Sequence, residues 1–110
     1  MVGPEARRGM RIAFAVRDPE ASREGLERTA LRVQRAAQGA ALRFALYVSC
    51  AGRGRGLYEA SDVDVRILRQ RFPDLPIAGM HSAFEITSFG PGQPRLQLFT
   101  GVLTLFRSLS

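Results

Sequence analysis

The residues most able to do chemistry in this chain form one stretch, Ser49-Cys50-Ala51-Gly52-Arg53-Gly54-Arg55-Gly56. Glycine alternates with arginine directly after the only cysteine, so bare backbone amides and two guanidinium forks surround a single thiol. Both features recognise carboxylate or phosphate oxygens, the amides as an oriented nest and the forks as planar paired donors. The stretch reads as an anion cradle bordered by Ser49 and Cys50, in which Gly52 and Gly54 let the backbone close on a ligand while Arg53 forks onto it. Lysine is missing and the glycine spacing is wrong for a P-loop. The plainer alternative is a glycine-rich connection with solvated arginines.

Three other side chains bear on the same chemistry. Cys50 beside two guanidinium groups could act as a nucleophile or redox sensor, which would make the chain a small cysteine-dependent enzyme. Catalysis of that kind needs an oriented base, and His81 with Glu85 is the one set of partners the sequence offers. Free cysteines are among the most buried residue types, so a core position is the favoured reading and no catalytic residue is assigned. Glu85, flanked by Phe84 and Ile86 in a β-prone run, is expected to be partly buried and to need a partner, either Arg53 or the ammonium group of a ligand. Combined, Arg53 would hold the carboxylate and Glu85 the ammonium of a bound amino acid.

Composition narrows the remaining classes. One cysteine and one histidine in 110 residues cannot supply a disulfide framework or the ligand spacing of a structural zinc site, so neither metal nor cofactor is expected. All 16 basic residues are arginine, and the net charge of +6 invites a nucleic-acid reading. Absence of lysine points instead to compositional bias, because a polyanion surface would use both cations. Tyr47, Tyr58, Phe84, Phe89 and Phe99 do not alternate with basic residues as a stacking surface would, and are better read as core. The apolar runs fall short of the roughly 20 residues a membrane helix requires, and the first residues lack a secretory h-region, so a soluble cytoplasmic protein is expected.

The elements that must position these residues follow from periodicity. Residues 1–9 carry no periodic pattern and read as a flexible leader, and residues 10–110 as one domain. Met10 to Val16 is short, apolar and β-prone, and Asp18-Pro19 then starts a helix with an N-cap and a first-turn proline. Leu26, Ala30, Val33 and Ala37 share one face of that helix, Glu24 can pair with Arg28, and Gly39 stops it. Leu42 to Val48 reads as a central strand joined to the first by a parallel crossover. Ser61 and Asp64 suggest a near capping box for a second helix on which Val65, Leu68 and Phe72 recur until Pro73.

Ile77 to Phe89 is β-prone, with Gly79 marking a bulge or a close backbone approach. Gly90-Pro91-Gly92-Gln93-Pro94 is a turn, and Leu96 to Phe106 forms the last strand, with apolar residues on both faces. The fold class is thus α/β, a two-layer mixed sheet with helices on one face and the order β-α-β-α-β-β. Two helices cover only one face, so the other needs a partner, most simply a second copy in a twofold homodimer.

The order Leu46-Tyr47-Val48-Ser49-Cys50-Ala51-Gly52-Arg53-Gly54, then Pro76-Ile77-Ala78-Gly79-Met80, then Glu85-Ile86 and a terminal apolar strand resembles the C-terminal domain of the FIST family. The resemblance covers the chain from Met10 onward. It implies an intracellular sensory module in signalling proteins that binds a small ligand such as an amino acid, here through Ser49, Cys50, Gly52, Arg53, Gly54 and Glu85. Two departures stand out: Phe84 occupies the place where the family usually has glycine, and the larger N-terminal domain that normally precedes this region is missing from the chain. The resemblance therefore implies a stand-alone or truncated module whose partner is either a second copy or that N-terminal domain.

Overall fold

The computed structural model describes residues 7–88 and 92–109. The sheet is built around strand β1 (Leu42–Cys50), which pairs in parallel with β2 (Ile77–Ser82) and antiparallel with β5 (Gly101–Arg107), giving the order β2-β1-β5. A two-stranded antiparallel ribbon, β3 (Glu85–Thr87) with β4 (Arg95–Gln97), lies beside it. Helices α1 (Pro19–Ala36), α2 (Arg55–Tyr58) and α3 (Val63–Arg71) complete the α/β architecture, a mixed sheet with packed helices as expected.

Helix α1 starts where its chemistry dictates. The Asp18 carboxylate accepts from the amides of Glu20 at 2.8 Å and Ala21 at 3.2 Å, with Pro19 at the first helical position. The expected Glu24–Arg28 pair forms at 3.3 Å on the solvent face, and Gly39 adopts a left-handed φ of +82° beyond the helix end. Leu26 and Ala30 point inward and meet Tyr47 of β1, Leu68 of α3 and Phe72 just beyond its end in the core.

Alternation along β1 sorts its two faces. Ala45, Tyr47 and Ser49 are buried towards the helices, whereas Phe44 and Leu46 on the other side are more than a third exposed. Phe44 stacks on Phe106 across the β1–β5 pair with ring centroids 4.3 Å apart, and Met80 of β2 extends this uncovered apolar face. The expectation of one covered and one bare face is met among the described residues.

Five local expectations are corrected. Met10–Val16 is not a strand: it pairs with nothing in the sheet, and Phe14 is 99% exposed. Strand stability comes from cross-strand neighbours rather than from intrinsic propensity, and this segment has none. The parallel crossover therefore runs from β1 through α3 to β2, not through α1. The run from Ile77 breaks at Ala83-Phe84 into β2 and β3, and the last apolar run breaks into β4 and β5 around Phe99, whose φ is +59°. The near capping box does not form: Asp62 caps α3 in a left-handed conformation without a side-chain bond, and Asp64 turns inward. Residues 1–6 of the leader, Phe89 and the Gly90-Pro91 part of the turn lie outside the described residues.

Gly79 shows the close approach anticipated from its place in a β-run. A methyl group at this position would collide with the backbone carbonyl of Tyr47, its partner in β1. The pairing register stays regular through it, so the glycine serves contact rather than a bulge.

Candidate functional site

The sequence after β1 is more ordered than a glycine-rich loop suggests. Ala51–Arg53 forms a 3₁₀ turn and Arg55–Tyr58 a single helical turn, which swing Arg53 back under the sheet edge. There its guanidinium grips Asp64 with both ends of the fork, Nε to Oδ2 at 2.8 Å and Nη2 to Oδ1 at 3.0 Å. Tyr47 donates to Oδ2 at 2.7 Å and Tyr58 to Oδ1 at 2.8 Å, so the carboxylate accepts one guanidinium and one phenol bond on each oxygen. Arg53 Nη2 also donates to the Tyr58 oxygen at 2.8 Å and to the Ser22 carbonyl at 3.4 Å. The network joins β1, the 3₁₀ turn and all three helices.

Burial and charge pull its pKa values in opposite directions. For Asp64, burial favours the neutral acid, but the bonds from Arg53 and the two tyrosines outweigh it and hold the carboxyl below its ordinary value. For Arg53, burial opposes the charge, yet Asp64 and the phenol oxygens raise its pKa further. Tyr47 is pushed far up by burial and by Asp64, and Tyr58 is pushed up to about 12 for the same reasons. The fold therefore favours ionised Asp64 and neutral tyrosines.

Stability should follow. A depressed Asp64 pKa contributes stability that is present above the unfolded value near pH ~4 and lost as pH falls through the folded one. Raised tyrosine pKa values contribute stability that is present below pH ~10 and lost as pH rises towards the folded values. Urea unfolding across pH should show a plateau with both limbs, and Asp64→Asn should flatten the acid one. An acid limb unchanged in Asp64→Asn would assign it to other carboxylates.

Above the network lies an open cavity of about 280 Å³. It is lined by Tyr47, Tyr58, Arg53 and Asp64 of the network, by Arg55 and the start of α3 with Asp62, and by Ser49 and His81. Ser49 Oγ and His81 Nδ1 are 3.0 Å apart. Asp64 has no acceptor capacity left, whereas Arg53 Nη1 makes no hydrogen bond among the described residues. The α3 amides facing the cavity lack a side-chain cap, and the helix dipole adds positive potential there. Such a surface suits a small anion.

The residues expected to form the site are thus divided. Ser49, Arg53 and Gly54 line this cavity. Gly52 belongs to a second cavity of about 260 Å³ behind Arg53, where its carbonyl accepts from Arg17 at 2.9 Å. Cys50 is buried with its sulfur 4.0 Å from the Ala83 carbonyl. Glu85 is buried as expected but bonded to Ser82 and Thr100, both at 2.8 Å, and neither of these partners is Arg53. Among the described residues no group of three or more His, Cys, Asp or Glu side chains could hold a metal ion, and no helix is long and apolar enough to cross a membrane.

Asp64, the centre of the network, escaped the sequence reading, which treated it as a helix cap. A signal existed: Asp64 stands four residues before Leu68 and so shares the buried face of α3, where a carboxylate must find partners.

Two mycobacterial proteins, the uncharacterized protein Mb0898c of Mycobacterium bovis and the uncharacterized protein MT0897 of Mycobacterium tuberculosis, are each 34% identical to the chain over 104 residues. The alignment covers 89% of this chain and 25% of theirs, so the chain spans about a quarter of the length of these relatives. No solved structure matches it significantly. The FIST C domain model matches residues 1–88, through β3 and short of β4 and β5. The chain belongs to the FIST C domain family of sensory modules.

Proposed function

We propose that this domain is a non-catalytic intracellular sensor whose cavity beside α3 binds a small carboxylate or comparable anion. One observation carries the reading: a cavity of about 280 Å³, the size of a metabolite rather than a peptide, is lined by Arg53, Arg55, Ser49, His81 and uncapped helix amides. The anionic end would lie against the α3 amides and the spare Nη1 edge of Arg53. Ser49 and His81 would read the polar remainder. Glu85 does not line this cavity, but Asp62 does and its carboxylate caps no helix amide, so the ammonium group of an amino acid would meet Asp62 rather than Glu85.

A cysteine-dependent activity draws little support, since the Cys50 thiol is buried and the only polar contact described for its sulfur is a backbone carbonyl.

The test is a thermal-shift screen of small mono- and dicarboxylates, phosphate and amino acids. Ligand at one hundred times its Kd should stabilise by about 2.7 kcal/mol, a rise of several degrees for a domain of this size. Arg55→Gln with His81→Gln should leave the ligand-free melting temperature within a degree or two and remove most of the shift. A library without a stabilising anion, or a shift that survives the double variant, overturns the reading.

A further inference from the structure

We propose that Met10–Val16 is an exchange strand that pairs antiparallel with the free edge of β5 in a second copy of this chain. Within its own molecule the segment is unsatisfied: Met10, Ile12, Phe14 and Val16 alternate along it and are 58 to 99% exposed. Alternation of this kind is what a strand with one buried face requires.

The receiving edge is on the same molecule. β5 ends the sheet order and pairs only with β1, so its outer main-chain groups have no strand partner among the described residues. It is seven residues long, Gly101–Arg107, the same length as Met10–Val16. Unpaired edges of this length bind strands unless something blunts them, and β5 carries no proline and has a charge only at its last residue, Arg107.

Direction also fits. Arg17, at the end of the segment, donates to the Gly52 carbonyl at 2.9 Å and lies over the Phe99 ring at 4.6 Å, which pins it beside the start of β5. The antiparallel sense is that of the existing β1–β5 pair, and a twofold axis would repeat it in both copies. Held by this pin, the segment leaves its own edge open, and a second copy satisfies both at once. Together the two pairings would need to bury more than roughly 1,200 Å², the size at which specific interfaces begin.

The experiment combines light scattering with limited trypsin digestion of the whole chain, because Arg11 lies within the exchange strand. The expected result is a mass of two chains at tens of micromolar, with cleavage after Arg11 slowed about tenfold or more relative to the dilute monomer. Phe14→Asp should restore the monomer and rapid cleavage, with an unchanged circular dichroism spectrum. A single-chain mass with rapid cleavage overturns the proposal. So does a single-chain mass with Arg11 protected, which would place the strand on its own β5. A dimer indifferent to Phe14→Asp would assign association to another surface and likewise overturn it.

Discussion

Asp64→Ala is expected to destabilise the domain by about 3–5 kcal/mol, lowering the melting temperature by roughly 12 °C or more. The cost does not come mainly from losing an ion pair. Removing the carboxylate leaves Arg53, its side chain only 11% exposed, charged and facing two phenols that can no longer donate to anything ionised. An uncompensated buried charge costs more than the pair contributes when intact, because desolvation of both ions offsets much of their attraction. The double variant Arg53→Met with Asp64→Leu should therefore recover most of the lost stability. Tyr47→Phe, which removes one bond to a charged acceptor, should cost about 1.5–3 kcal/mol, and Tyr58→Phe, which also removes the bond accepted from Arg53, at least as much. Chemical denaturation of the set checks the ordering, and a double variant no better than Asp64→Ala would show that the pair itself stabilises.

Gly79→Ala should be at least as damaging, through sterics rather than charge. The added methyl group meets the backbone of Tyr47, which cannot rotate away as the end of a side chain would. Relief requires β2 to move off β1, and β1 is the central strand. The expected result is loss of more than about 3 kcal/mol, with the amides of Ile77–Ser82 exchanging faster than those of β5. Gly101 offers a comparison. The nearest atoms a methyl group there meets belong to the Tyr47 side chain, which can shift at the expense of its bond to Asp64, so Gly101→Ala should cost less. Equal losses at the two glycines would mean that backbone contact is not what selects Gly79.

Helix α1 was legible because its signals are local. A capping aspartate, a first-turn proline, an apolar period and a stop glycine act within a turn or two, so Asp18 and Gly39 bound the helix as read. Burial of Cys50 and Glu85 was legible from side-chain chemistry and neighbours. Met10–Val16 was not, since its β-propensity is real but pairing depends on an edge elsewhere in space. The partners of Arg53 and Glu85 were not legible for a related reason. Arg53 was expected to hold a ligand's anionic group and Glu85 to meet either Arg53 or a ligand ammonium, whereas the 3₁₀ turn sends Arg53 towards α3 while the end of the sheet supplies Ser82 and Thr100 to Glu85.

Residue type and spacing therefore settled the fold class and the covered and bare faces of the sheet, because both depend on patterns repeated along the chain and tolerate local error, while the family rested on the resemblance of its motifs. The tertiary structure decided which arginine meets which carboxylate. It turned a supposed ligand clamp into a buried Arg53–Asp64 pair with one donor edge to spare, and opened the cavity beside α3. Partner choice rests on ångström-scale closeness between segments distant in sequence, and that closeness is set only when the helices and strands have packed.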